Sequence, residues 1–120
     1  MAIALLLGRI LFGGYFLYSG YNHLTLTKNY AGYAKSKNVP FPTIGVVLSG
    51  LMLLLGGLGV LFWVYVRWAL ILVDIFLAVV SFMIHNFWSD TDQATKAVNQ
   101  VNFGKNMALI GASLIIMSLA

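Results

Sequence analysis

The chain has 120 residues, of which 61% are hydrophobic and 8% charged, with a formal net charge of +4 at pH 7 and a mean hydropathy of +0.92. So few charged groups cannot solvate a water-facing surface, so the predicted solvent is a bilayer, and the length supports a single domain over residues 1–120. The lack of cysteine excludes disulfides, thiol redox chemistry and thiolate metal sites. The basic residues form no run interleaved with aromatics of the kind that grips nucleic acid.

About 20 apolar residues cross a ~30 Å hydrocarbon core at 1.5 Å per residue. The first such run covers about residues 2–22. It lacks a basic region ahead of its apolar core, and Arg9 interrupts that core, so it reads as a retained helix rather than a cleaved signal peptide. Tyr15, Tyr18, Tyr21 and Asn22 recur at helical spacing and give it a polar-tipped packing stripe. In the loop 23–43, Leu26, Tyr30, Tyr33 and Lys37 also recur at helical spacing while Lys28 and Lys35 point elsewhere, which predicts a short helix in the headgroup plane. The Asn38-Val39-Pro40-Phe41-Pro42 segment ends it, since residues before proline avoid the helical region.

From Ile44 to Ile84 the only charges are Arg67 and Asp74. That stretch is about twice the length of one span, so it doubles back. The predicted second span covers about 44–62 and the third about 68–88, with Trp63, Tyr65, Arg67 and Trp68 as an interfacial belt at the turn. Gly8, Gly13, Gly14 and Gly20 in the first span, and Gly45, Gly50, Gly56, Gly57 and Gly59 in the second, predict close helix contacts. The polar loop 89–103 reads as a short exposed helix with Asp90 or Asp92 as a cap rather than a metal ligand. The fourth span covers about 104–120. The expected fold is thus an all-α membrane protein, an antiparallel four-helix transmembrane bundle with a short interfacial helix in the first loop. Lys28, Lys35, Lys37, Lys96 and Lys105 lie in or beside two loops and face only Arg67 and the buried Arg9 on the other side. This bias predicts loops 23–43 and 89–103 in the cytoplasm and both termini outside.

Charges at membrane depth need a partner or a task. Arg9 and Asp74 fall at similar predicted depth, about 10 Å from one membrane face, and are expected to form a buried ion pair, either fixing helix register or handling protons or a polar ligand. His23 follows Arg9 by 14 positions and His85 follows Asp74 by 11, which leaves each histidine within about 40° of its charge on a 100° wheel. His23 and His85 should therefore meet near the opposite face, beside Asn22, Asn86, Trp88, Lys105 and Asn106. Two imidazoles fall short of the three or four ligands of a closed metal site, so haem or metal is not expected there. The remaining uses are anchoring helix ends at headgroup level, or binding an amphipathic ring such as a quinone, held by His85 or an Asn and stacked on Trp88 or Phe87.

Several segments resemble the DoxX family: Arg9 in an early apolar helix, Tyr18-Ser19-Gly20 closing it, and Tyr33-Ala34-Lys35-Ser36-Lys37-Asn38-Val39-Pro40. His85-Asn86-Phe87-Trp88, Asn102-Phe103-Gly104-Lys105-Asn106 and a fourth span opening with Ala108-Leu109-Ile110-Gly111 continue the resemblance along the whole chain. It implies a small four-helix membrane protein, similar to the quinone-reducing DoxD subunit of thiosulfate:quinone oxidoreductase or to components of membrane oxidative-stress complexes. More distant relatives look like cargo receptors of the secretory pathway, so the fold alone fixes no activity. The chain departs from the family pattern at Asn86, where Asp is frequent, and at His23, where Lys is common.

The resemblance and the residues together imply a component of a quinone-linked oxidoreductase or oxidative-stress system in a prokaryotic cytoplasmic membrane. Its expected surroundings are the lipid bilayer and a redox protein partner or further copies of itself, with no covalently held cofactor and no self-sufficient catalytic motif. The alternative is a non-catalytic scaffold or cargo-docking protein that engages partners through its two polar loops. A transporter is a weaker third reading, since no inverted repeat or proline-broken span is present.

Overall fold

The computed structural model describes residues 2–120 and builds them from helices, without a strand among the described residues. Helix α1 is Ala2–Thr25, α2 is Thr27–Ser36, α3 is Pro42–Phe62, α4 is Val66–Met83 and α5 is Gln93–Leu119; a single 3-10 turn spans Phe87–Ser89. All but α2 belong to segments long and apolar enough to cross a membrane. The protein is a multi-pass membrane protein of the expected four-helix, antiparallel kind.

Neighbours along the chain are neighbours in space, because short connections leave no other choice. Helix α1 packs on α3, α3 on α4, and α4 on α5, with α2 laid across α3. The α1–α3 seam is a close approach made by glycines seven residues apart on each helix. A Cβ on Gly13 would stand 2.8 Å from the carbonyl oxygen of Gly57, one on Gly57 2.8 Å from that of Gly13, and one on Gly20 2.9 Å from that of Gly50. In lipid, where apolar burial supplies little drive, such backbone proximity is what holds helices together. Gly56 serves the α3–α4 seam in the same way, against Val73 Cγ2 and the Ala69 carbonyl.

The α4–α5 seam is polar. Ser113 Oγ donates to Asp74 Oδ2 at 2.9 Å, Asn106 Nδ2 donates to Ser81 Oγ at 3.1 Å, and Asn99 Oδ1 lies 3.0 Å from His85 Nδ1. Asn99, Asn106 and Ser113 are spaced by sevens and so return to one face of α5 every two turns. Each is buried, at 1%, 4% and 0% exposure.

The filled core lies toward the α3–α4 turn. Phe16, Leu53, Val73 and Leu77 form one buried cluster, and Val60, Val66, Ala69 and Leu70 a second. That turn has no glycine of its own. Trp63 and Tyr65 take left-handed backbone angles, φ 58° and 49°, at roughly 1–2 kcal/mol for residues with a Cβ. The Val64 N–H donates to the Gly59 carbonyl at 2.9 Å and the Trp63 N–H to that of Val60 at 3.3 Å, which satisfies carbonyls at the end of α3. Tyr65, Trp68 and Phe62 stay exposed, as belt residues should.

Two expectations change in detail. The short exposed helix and the fourth span are one continuous helix, α5, of 27 residues; at 1.5 Å per residue it is about 40 Å long, so its polar first turns extend past a ~30 Å core. Asp92 is its cap, accepting from Thr95 N at 2.9 Å and Thr95 Oγ1 at 2.8 Å. Those bonds hold the Asp92 carboxyl below its ordinary range, the backbone bond contributing most. The interfacial helix forms as expected, but Ala31 and Ala34 are the residues it buries, while Tyr33 remains 45% exposed.

Candidate functional site

The half of the bundle away from the α3–α4 turn is hollow. A cavity of about 550 Å³ opens between all five helices, walled by Tyr15, Phe16, Ser19 and His23 from α1, Tyr30, Tyr33 and Ala34 from α2, Val46 and Ser49 from α3, Phe76, Leu77, Val80 and Met83 from α4, and Lys105 and Asn106 from α5. His85 and Ile84, just past α4, complete it. Its volume and its mostly apolar, aromatic wall with a few polar groups are those of a small-molecule pocket.

His23 is buried, with 8% exposure. Its ring meets Tyr30 edge-on at 4.6 Å between centroids and Phe76 at 5.4 Å, so it packs against one residue of α2 and one of α4. His85 belongs to a chain of hydrogen bonds that leads out to the surface. Its Nδ1 meets Asn99 Oδ1; Asn99 Nδ2 donates to Asp90 Oδ2 at 2.8 Å; and Lys37 Nζ, at the end of α2, donates to Asp90 Oδ1 at 2.9 Å. The Lys37 and Asp90 side chains keep only 14% and 10% of their surface exposed. The Asn99 amide, and then the Lys37 ammonium, hold the Asp90 carboxyl below its ordinary range. Lys105 Nζ reaches across from α5 to Tyr15 on α1, donating to its hydroxyl at 3.3 Å and lying 5.7 Å from its ring centroid.

Of the six residues expected to bind a ligand, His23, His85 and Asn106 line one cavity. Asn22, Asn86 and Trp88 do not line it. Helix α4 ends at Met83, so the chain beyond His85 swings off the helical path, and Trp88 joins an aromatic cluster with Phe82, Phe87 and Phe103, with ring centroids 5.3–6.0 Å from it. Trp88 is 52% exposed, as an aromatic residue at a helix end near the membrane surface is expected to be. Asn86 keeps a buried Oδ1 without a partner among the described residues.

The expected Arg9–Asp74 ion pair does not form. Arg9 Nε donates to the carbonyl oxygen of Leu61 at 2.9 Å, Asp74 takes its bond from Ser113, and Lys37–Asp90 is the ion pair found among the described residues. The physical reason is lateral: α1 packs on α3, and α4 packs on α3 and α5, so α3 supplies the nearer partner for Arg9 and α5 the nearer partner for Asp74. Asp74 Oδ1 is left buried without a partner among the described residues.

Sequence reasoning missed the wall from α2 and the Lys37–Asp90–Asn99 chain behind His85. The signal for Asn99 was present, since Asn99, Asn106 and Ser113 repeat by sevens through an otherwise mixed helix. No curated protein and no solved structure matches the chain. The DoxX family model matches residues 4–86, which takes in α1 to α4 and His85 and stops before the aromatic turn and α5. That match extends over more than half of the chain, and with the four-helix membrane fold it identifies the protein as a member of the DoxX family.

Proposed function

We propose that this DoxX protein binds a quinone-type lipophilic ring in the cavity between its five helices, as a membrane component of a quinone-linked oxidoreductase or oxidative-stress system. The observation that carries the reading is that both histidines of the chain line one cavity whose other walls are largely aromatic and aliphatic. Such a wall takes a flat, lipid-soluble ring, and imidazoles exchange protons and hydrogen bonds near neutral pH. His85 and His23 hold the polar edge of the ring, Asn106 and Lys105 supply further polar contacts, and Phe76 and Tyr30 bear on its faces. The chain carries no group that moves electrons alone, so a redox protein partner or a second copy completes the system.

The membrane is the prokaryotic cytoplasmic one, with the α2 end inward. Lys28, Lys35, Lys37 and Lys96 gather at that end against Arg67 at the other, the arrangement the positive-inside rule favours. The alternative of a docking scaffold draws less support, because Tyr30 and Tyr33, the aromatic residues of the first loop, both line the cavity.

The test uses purified protein in detergent with a short-tail benzoquinone and a short-tail naphthoquinone, each in oxidised and reduced form. Ligand binding to the folded state raises the thermal midpoint. A rise that is lost in His85→Ala and kept in Trp88→Ala is expected. No rise with any of the four compounds would sink the reading.

A further inference from the structure

Hydrogen bonds behind the two cavity imidazoles determine which edge of each ring meets a ligand. His23 Nδ1 lies 2.7 Å from the carbonyl oxygen of Ser19. A carbonyl can only accept, so His23 Nδ1 carries the proton. At His85 two linked hydrogen bonds fix the proton. Asn99 Nδ2 donates to the Asp90 carboxylate, which can only accept, and this turns the Asn99 oxygen toward His85. His85 Nδ1 must then be the donor as well.

With Nδ1 protonated on both rings, Nε2 of each neutral imidazole is a bare acceptor. Neither Nε2 has a hydrogen-bond partner among the described residues, and neither is sealed off from the surface. His85 stands in the cavity wall, whereas Asn99, the partner of its Nδ1, does not.

We infer, resting on the quinone-type reading above, that the cavity selects the reduced, dihydroxy form of the ring over the oxidised dione. A hydroquinone O–H donates to His85 Nε2, and a second hydroxyl finds His23 Nε2. A dione presents only acceptors to those same lone pairs and leaves both sides unpaired, the kind of mismatch that binding sites discriminate strongly. Lys105 is the cationic donor in the wall and remains for a carbonyl, so the preference is a bias. Other charges near His85 are Lys37 at the end of α2 and Asp90 after the 3-10 turn, which reaches it through Asn99; the neutral His23 on α1 and the cavity wall from α3 contribute none. Asp90 and Asn99 are thereby positioning residues, holding the tautomer of His85 without touching the ligand.

The test is anaerobic titration of the detergent-purified protein at pH 7.5 with one short-tail hydroquinone and its own dione. A hydroquinone dissociation constant about tenfold lower is expected, the size of one net hydrogen bond. Asn99→Leu frees the His85 ring to adopt either tautomer, so the ratio should fall toward one while dione binding is kept or improved, a change that loss of structure would not produce. His85→Gln, which can turn either polar atom to the ligand, serves as the second variant and should also bring the ratio toward one. Equal or tighter dione binding by the unmodified protein would overturn the preference and leave the quinone site standing. Binding of neither form would overturn both, and an unchanged ratio in both variants would remove His85 and Asn99 from the account.

Discussion

The two ends of the bundle use the same helices to opposite effect. Toward the α3–α4 turn, Leu53, Leu70 and Val73 are buried to 0% exposure and fill the space between helices. Toward His23 and His85 the helices leave a cavity, and α2 is laid against them as an added wall. At both ends the helices are held by close glycine contacts along the α1–α3 seam and by hydrogen bonds from α5 along α4. Dense packing and the cavity thus lie at different depths of one bundle.

The largest effect that separates the ends comes from two leucines of equal burial. Leu53 is 0% and Leu77 2% exposed, but Leu77 also walls the cavity. Leucine-to-alanine changes cost about 2–5 kcal/mol depending on the void left behind. Leu53→Ala is expected near the top of that range and Leu77→Ala near the bottom, measured by chemical unfolding in detergent. Similar losses at both would mean that the cavity does not relieve its wall.

Glycines sharpen the same contrast at smaller magnitude. Gly57→Ala forces a Cβ toward a backbone carbonyl that cannot yield, and overpacking of this kind costs about 1–3 kcal/mol. Gly45, on the cavity side, has nothing within 4 Å of a built Cβ, so Gly45→Ala should leave the thermal midpoint unchanged or raise it through helix propensity.

The smallest effect is a pH dependence at the hollow end. The Asp90 carboxyl lies below its ordinary value because the Asn99 amide donates to it and the Lys37 ammonium faces it. A group so shifted stabilises the fold fully above its unfolded value, about 3.9, and loses that contribution as pH falls through the lower folded value. Thermal midpoints measured downward from pH 6 should therefore drop less steeply in Asp90→Asn than in the unmodified protein. Parallel curves would place the Lys37–Asp90 pair outside the energetics of folding.

The spans were legible because apolar runs of the right length have one physical use. Helix α5 was misjudged at its start, since hydropathy marks where lipid ends and Gln93 to Asn102 continue the helix in polar residues beyond it. Helical phase and depth brought His23, His85 and Asn106 to one cavity, because both follow from the rise and twist of a helix. The Arg9–Asp74 pairing failed on the one coordinate a single helix does not encode, which neighbour stands beside it. Trp88 failed for a local reason: three residues beyond His85 are on the same helix only if the helix continues, and α4 ends at Met83.

The polar seam between α4 and α5 also fixes the axial position of one helix against the other. Asp74–Ser113, Ser81–Asn106 and His85–Asn99 are matched at a single alignment of the two helices, and the spacing by sevens on α5 means that the next alignment to offer the same α5 residues again lies about 10 Å away. Sliding α5 by one or two residues would unmake all three bonds together. The His85 tautomer and the filled core at the other end are therefore set by one sliding coordinate, and a single-residue insertion between Asn99 and Asn106 would detach one from the other.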